Sequence, residues 1–250
     1  MSRPLLSVNG ASVSFGAFKA LTDVSFEVEV NELVALIGPN GAGKTTCFNL
    51  ITKFLQPTAG SILYNGRDIT RLRPHAVARL GLVRSFQISA VFPHLTVLEN
   101  VRVGLQRALG TSYQFWRPER SVEVLNRRAI DLLDKVGITP FAALPAGELP
   151  YGGKRALEIA TTLALDPDML LLDEPMAGMG LEDIKRTSAL IREVASKRTI
   201  LMVEHNLSVV ADLSDRITVL SRGEVLAEGS YAEVSRNPQV VEAYMGTGHA

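Results

Sequence analysis

Short apolar runs alternate with amphipathic stretches along most of the chain, and this alternation predicts strands followed by helices. The apolar runs lie at residues 33–37, 169–172 and 199–203, and each has the length of a buried strand. Residues 82–86 also show a strand pattern, which leads into Gln87. Helical patterns follow, with inward faces at Cys47, Leu50, Ile51 and Phe54, at Ala156, Ile159, Ala160 and Leu163, and over residues 181–195. Strands that alternate with helices form mostly parallel sheets with right-handed crossovers. The sequence therefore predicts an α/β fold.

Four segments depart from this alternation. Residues from about 5 to 30 show the period of antiparallel strands, most clearly at Val24, Phe26, Val28 and Val30. A strand pattern at 61–64 ends in the turn signal Asn65-Gly66, and a hairpin pattern at 217–227 turns at Arg222-Gly223. Helical patterns separated by proline-containing loops fill residues 88–150, and Gly152-Gly153 precede the next helix.

These patterns predict one domain over residues 1–250. Its parts are a core of residues 1–87 and 151–229 that includes an antiparallel β subdomain, a helical subdomain at 88–150, and a helical tail at 230–250.

A glycine-rich segment lies between the first buried run and its helix. Its residues, Gly38, Pro39, Asn40, Gly41, Ala42, Gly43, Lys44, Thr45 and Thr46, match the pattern GxxxxGK[ST]. Glycines let successive N–H groups surround an anion, and the helix N-terminus adds about half a positive charge. We expect Lys44 to reach the β- and γ-phosphates and the Thr45 hydroxyl to ligate Mg²⁺. The flanking strand and helix disfavour the alternative, an ordinary glycine-rich turn, so the sequence predicts binding of a nucleoside triphosphate.

Further chemical groups follow other predicted strands. Ligands of parallel sheets bind at the carboxyl ends of strands, where Gly38, Gln87, Asp173 and His205 are all expected. Asp173 would hold Mg²⁺ through water, and the adjacent Glu174 would orient or deprotonate the attacking water. His205 would donate to the charge that develops on the γ-phosphate. The alternatives are a helix N-cap pair for the two carboxylates and a structural role for the histidine.

Composition narrows the class of protein. Lys and Arg together number 26, and Asp and Glu together also number 26, so the formal net charge is zero. A net charge of zero does not suggest a nucleic-acid partner. One cysteine, Cys47, excludes a disulfide framework and a cysteine metal site. No apolar run has the length of a membrane span, and the N-terminus lacks the pattern of a secretory signal. We expect a soluble protein of a reducing compartment.

The whole set of motifs resembles that of ABC-type ATPases in order and spacing. The shared motifs are GPNGAGKTT, Ser85-Phe86-Gln87, LPYGGKR at 149–155, LLLDEP and Val203-Glu204-His205. The resemblance implies a P-loop NTPase core and a head-to-tail dimer with two ATP molecules, each with Mg²⁺, between the subunits. It implies that Phe15 stacks on adenine, with Phe18 or neither as alternatives. Gln87 resembles the glutamine that contacts metal and nucleotide and relays to a membrane partner, with a solvated loop amide as the alternative. Tyr151, Gly152 and Gly153 would contact the ATP of the opposite subunit.

A finer resemblance is to the ATPase subunits of branched-chain amino acid importers. It rests on residues 51–60, 84–87 and 91–101, on the tyrosine-glycine form of the signature, and on the tail at 237–246. It implies transmembrane permease subunits, a second and different ATPase or a homodimer, and an extracytoplasmic solute-binding protein as an indirect partner. The expected location is cytoplasmic, at the inner face of the membrane. A lipopolysaccharide-export ATPase, a soluble ABC ATPase without a permease and a regulatory module that does not hydrolyse ATP are the alternatives.

Two motifs depart from the usual ABC pattern. The usual signature is LSGGQ, and residues 149–153 of this chain occupy its five positions. Pro150 stands at the serine position, Tyr151 at the first glycine position and Gly153 at the glutamine position. Gly180 occupies the usual aspartate position of the loop after Glu174-Pro175. Proline offers a phosphate neither a hydroxyl nor an N–H. We therefore hypothesise an asymmetric heterodimer in which a different subunit supplies the standard signature, although the two departures could also be without effect.

Overall fold

The computed structural model describes residues 3–85, 91–108 and 119–245. The strands in these residues are β1 (Leu6–Phe15), β2 (Phe18–Val28), β3 (Leu33–Ile37), β4 (Ala59–Tyr64), β5 (Arg67–Asp68), β6 (Leu82–Arg84), β7 (Met169–Asp173), β8 (Thr199–Val203), β9 (Arg216–Ser221) and β10 (Glu224–Gly229). The α-helices are α1 (Lys44–Ile51), α2 (Pro74–Arg79), α3 (Val97–Ala108), α4 (Glu119–Lys135), α5 (Tyr151–Leu163), α6 (Leu181–Ala195), α7 (Leu207–Leu213), α8 (Tyr231–Val234) and α9 (Pro238–Met245).

The strands form two sheets. The smaller sheet has the order β2-β1-β4-β5, with antiparallel pairing throughout. The larger sheet has the order β10-β9-β3-β8-β7-β6, in which β3 pairs in parallel with β8 and β9, and β7 pairs in parallel with β8. The hairpin β9-β10 is antiparallel. The predicted α/β class, with a mostly parallel sheet and an antiparallel β subdomain, is confirmed.

The centre of the larger sheet is apolar on both faces, as a parallel sheet covered by helices requires. Every residue of β3 and β8 is buried. Helix α1 contributes Cys47, Phe48 and Leu50 to the same core. Register pairs Val203 with both Leu36 and Asp173, so β3, β8 and β7 end at the same edge. The residues that follow these three strands are therefore neighbours.

The described chain divides into two compact units. The first comprises residues 1–82, 168–175 and 191–250, and it contains the P-loop segment. The second comprises residues 83–167 and 176–190, and its core is formed by α3, α4 and α5. This second unit takes in α5 as well as the insert predicted at 88–150. The domain boundaries predicted from the sequence stay predictions.

Three local predictions are wrong. Val30 is 57% exposed, because β2 ends at Val28 and the chain turns at Asn31, whose φ is 60°. Phe54 is 52% exposed, because α1 ends at Ile51. Gly152 and Gly153 do not precede a helix but lie within the first turn of α5, whose N-cap is Pro150.

No helix in the described ranges is both long and apolar enough to cross a membrane.

Candidate functional site

The P-loop turn begins and ends with glycines that the local packing requires. Gly38 has a φ of 152°, and a Cβ there would lie 2.1 Å from the Leu220 carbonyl oxygen. Gly43 is the N-cap of α1 with a φ of 103°, and its Cβ would lie 2.7 Å from the Leu21 side chain. Such backbone conformations are open to glycine and strained for other residues. The tight turn brings the N-terminus of α1 to the carboxyl end of β3.

Lys44 is held inside this turn. Its Nζ donates hydrogen bonds to the carbonyl oxygens of Gly38 at 2.6 Å and of Pro39 at 3.0 Å. An ammonium has three N–H donors, so one remains for an anion in front of the loop. Burial lowers the pKa of Lys44, and the Glu174 carboxylate partly opposes that shift. The loop thus presents a fixed positive charge and backbone donors to one space.

That space is a cavity of about 310 Å³. It is lined by Phe18, Ala20, Asn40, Gly41, Ala42, Gly43, Lys44, Thr45, Thr46, Glu174 and His205. The structure therefore brings together most of the predicted P-loop residues with Glu174 and His205, which are far away in the sequence.

Glu174 and His205 line the same cavity as the P-loop residues. Glu174 has a φ of 48°, which is uncommon for a residue other than glycine and is typical of functional sites. Its N–H donates to the Val203 carbonyl oxygen at 2.9 Å, which fixes the turn after β7 against β8. Its Oε1 lies 2.7 Å from Nε2 of His205. A carboxylate and an imidazole are thus hydrogen-bonded to each other at the cavity.

The backbone at His205 is held by Glu204, to which the sequence assigned no role beyond the motif Val203-Glu204-His205. The buried Glu204 carboxylate accepts hydrogen bonds from the N–H groups of His205 at 2.8 Å and Asn206 at 3.2 Å. Asn206 in turn caps α7 by accepting from the Ser208 and Val209 N–H groups. The Glu-His pair at the end of an apolar run was the available signal. Glu204 acts on the backbone and positions the histidine ring indirectly.

A second residue missed from the sequence lies in the tail. Tyr244 in α9 packs against the cluster that contains Ile37 of β3, and its hydroxyl accepts a hydrogen bond from the Gly38 N–H. Burial raises the pKa of Tyr244 to about 12. No local pattern in the sequence links the tail to the P-loop.

The predicted metal residues are only partly placed. Asp173 ends β7 beside Glu174, and Thr45 lines the cavity, whereas Gln87 lies outside the described residues. Among the described residues there is no group of three or more His, Cys, Asp and Glu side chains suited to a metal ion. Mg²⁺ is usually bound by one or two protein oxygens together with phosphate oxygens and water. Thr45 and Asp173 are suitable donors for that kind of site.

Phe15 and Phe18 are the two aromatic residues considered for stacking on adenine. Phe15 and Phe18 are opposite each other at the β1-β2 turn and are 51% and 66% exposed. The described lining of the cavity includes Phe18 and does not include Phe15. The sequence alternative, Phe18, is thus the aromatic that adjoins the P-loop, while stacking by either ring stays a prediction.

The residues predicted to contact the ATP of the opposite subunit belong to the second unit. Tyr151, Gly152 and Gly153 form the first turn of α5, and Pro150 provides no side-chain cap. The first N–H groups of a helix have no partner within the helix, so this turn can still donate to an anion. The Tyr151 hydroxyl, however, donates to the Ala177 carbonyl oxygen at 2.8 Å.

Comparison with known proteins gives a consistent result. The family described as ABC transporter matches residues 21–177, and the family described as branched-chain amino acid ATP-binding cassette transporter matches residues 224–250. The high-affinity branched-chain amino acid transport ATP-binding protein BraF of Pseudomonas aeruginosa is 41% identical, covering 98% of this chain and 99% of BraF. The corresponding protein LivG of Escherichia coli K12 is 40% identical over 98% of this chain and 99% of LivG.

Solved structures agree with the sequence relatives. The ADP conformation of an ATP-binding cassette of an ABC transporter superposes with a TM-score of 0.86 at 31% identity, covering 98% of this chain and 100% of that one. A nucleotide-free ATP-binding cassette gives a TM-score of 0.85 at 31% identity, covering 97% and 99%. The chain belongs to the ABC transporter family of ATPases and, within it, resembles the ATP-binding subunits of branched-chain amino acid transporters.

Proposed function

We propose that this chain hydrolyses ATP to drive an importer of branched-chain amino acids or related small organic solutes. The observation that carries the proposal is the cavity in which Lys44, Glu174 and His205 meet. Each comes from the end of a neighbouring strand of one sheet, so the three are held by a rigid scaffold. The named relatives, which are ATP-binding proteins of branched-chain amino acid transport, support the choice of solute class.

In the proposed reaction the P-loop holds and orients the triphosphate. Backbone N–H groups of residues 41–45 and the free N–H of Lys44 face the negative charge of the β- and γ-phosphates. Because Lys44 is already fixed by two carbonyl oxygens, little side-chain reorganisation accompanies binding. Thr45 and Asp173 would hold Mg²⁺, which would neutralise part of the phosphate charge.

Glu174 is the proposed general base. Its carboxylate accepts the proton of the attacking water. The Nε2–H of His205 can donate either to Glu174, as in the 2.7 Å contact, or to charge on the γ-phosphate, and the proposed reaction uses the second arrangement. The left-handed backbone of Glu174 directs its side chain towards the cavity rather than along the sheet. General bases of this kind contribute about 10²–10⁴-fold to rate.

The γ-phosphate needs donors on its far side, and we propose that a second ATPase subunit provides them. Pro150 caps α5 without a hydroxyl, and Gly180 has no side chain to offer a partner. A hydrogen bond to a charged group contributes about 1.5–3 kcal/mol, so losing one weakens a composite site roughly tenfold or more. A different subunit with a standard signature is therefore the better partner for this P-loop than a second copy of this chain.

The proposal is tested on the assembled transporter in proteoliposomes, with its permease subunits, second ATPase and solute-binding protein. Uptake of branched-chain amino acids should require ATP and should be lost with Glu174→Gln. The matching glutamate change in the partner ATPase should reduce uptake less. Equal losses from the two changes would refute the asymmetry, and ATP hydrolysis without uptake of any amino acid would refute the importer assignment.

A further inference from the structure

Tyr151 lies between two segments that are far apart in the sequence. It is the first residue of α5 and is 39% exposed. Its hydroxyl donates a hydrogen bond of 2.8 Å to the carbonyl oxygen of Ala177. Ala177 belongs to the loop of residues 176–180 that follows Pro175 and precedes α6. One side chain therefore connects the start of α5 to that loop.

The ring of Tyr151 is itself held in place. The guanidinium carbon of Arg155, one turn further along α5, lies 5.8 Å from the ring centroid, within the range of a cation–π contact. Arg155 is buried, and its Nη1 forms a 2.8 Å ion pair with Glu158, which is also buried. Because Arg155 is fixed by this pair, the tyrosine ring has a rigid support on its α5 side.

The loop packs closely against the hydroxyl end of the ring. Gly178 has a φ of 73°, and a Cβ there would lie 3.4 Å from the Tyr151 hydroxyl oxygen. On the neighbouring position of α5, a Cβ on Gly152 would lie 2.9 Å from the carboxyl carbon of Asp183 in α6. The first turn of α5 thus contacts both the loop and the helix that follows it.

We propose that Tyr151 is a positioning residue that holds the loop of residues 176–180 against the first turn of α5. This proposal rests on the head-to-tail dimer of the proposed function. Both elements would face the nucleotide of the opposite subunit, and the tyrosine makes them one rigid surface. The Tyr151 hydroxyl donates its hydrogen bond to the Ala177 carbonyl oxygen, so the residue acts through the loop. This role differs from the direct phosphate contact that the family resemblance implies for this position.

The contact can be tested in the isolated chain by amide hydrogen exchange. The Met179 N–H bonds the Met176 carbonyl oxygen at 3.2 Å within the loop, so its exchange reports loop opening. Tyr151→Phe removes the hydroxyl and keeps the ring, and it should speed exchange at Met179 by about 3–10-fold, the range expected for one lost hydrogen bond. Tyr231→Phe is the matched control, because Tyr231 is also 39% exposed and lies in α8. Unchanged exchange in Tyr151→Phe would overturn the proposal.

The consequence for catalysis is tested in the assembled transporter. Tyr151→Phe should lower kcat for ATP hydrolysis about 3–10-fold and leave the KM for ATP within error of that of Tyr231→Phe. Faster loop exchange with unchanged kcat would overturn the positioning role. A rise in KM with unchanged kcat would indicate a direct nucleotide contact and would overturn it as well. Failure of the wild-type complex to hydrolyse ATP would count against the proposed function, and the exchange measurement would still decide whether the tyrosine holds the loop.

Discussion

Lys53 places a buried positive charge at the turn that ends α1. The side chain is 3% exposed, its φ is 66°, and its Nζ has no hydrogen-bond partner in the described part of the chain. Burial lowers the pKa of Lys53 to about 8, although the Asp68 carboxylate opposes the shift. Lys53→Met keeps the apolar stem and removes the ammonium, so it should stabilise the fold.

The size of the gain follows from the pKa. Displacement from 10.5 to about 8 sets an upper limit of roughly 3 kcal/mol, at about 1.4 kcal/mol for each tenfold change in the proton equilibrium. Local relaxation and water penetration reduce such penalties, so we expect a gain of about 1–3 kcal/mol. For a chain of this length that corresponds to a rise in Tm of about 3–10 °C.

The pH dependence has a defined sign. Because the folded-state pKa of Lys53 lies below the unfolded value, the unfolded chain binds more protons between pH 8 and pH 10.5. The penalty of the buried ammonium is absent above that window, grows as the pH falls through it and is full below pH 8. The advantage of Lys53→Met should therefore be large at pH 7.5 and smaller at pH 10.

Thermal unfolding followed by circular dichroism at these two pH values measures the effect. Lys185→Met is the control, because the Lys185 side chain is 75% exposed and pairs with Glu182 at 3.6 Å. Its stability should match that of the wild type within about 0.5 kcal/mol. If Lys53→Met is no more stable than the wild type at pH 7.5, or if its advantage is the same at pH 10, the reasoning from a buried unpaired ammonium is wrong.

Two further predictions concern nucleotide binding and are read from titrations with a fluorescent ATP analogue. Phe18→Ala should weaken binding about 3–10-fold and Phe15→Ala should weaken it less, because Phe18 lines the cavity; a larger effect of Phe15→Ala would favour the ring expected from the resemblance. Tyr244→Phe leaves the Gly38 N–H without its acceptor and should also weaken binding about 3–10-fold, with Tyr231→Phe unchanged; equal affinities of these two variants would contradict a link from the tail to the P-loop.

Much of the fold could be predicted because its signals are local. The P-loop could be predicted from one stretch of sequence, because the buried strand β3, the glycine turn and α1 are contiguous. The apolar runs that became β7 and β8 ended in carboxylates and a histidine, and the rule that parallel strands end at one edge was enough to predict their proximity.

The rest depends on contacts that local patterns do not encode. The hydrogen bond from Tyr151 to Ala177 joins residues 26 positions apart, and the contact between Tyr244 and Gly38 joins the tail to the first glycine of the loop. Phe54 fitted the helical period, but the left-handed turn at Lys53 takes it out of the core. A lysine in that conformation is uncommon, and nothing in the neighbouring sequence marks the turn.

The most direct test of Glu174 as the base is ATP turnover by the assembled transporter with Glu174→Gln in this chain. Glutamine keeps the size of the side chain and a hydrogen bond with His205 while removing the basic carboxylate. Turnover should fall by about 10²–10⁴-fold while ATP stays bound and uncleaved, and Glu193→Gln, on the exposed face of α6, should be unaffected. Turnover within about threefold of the wild type would contradict the assignment.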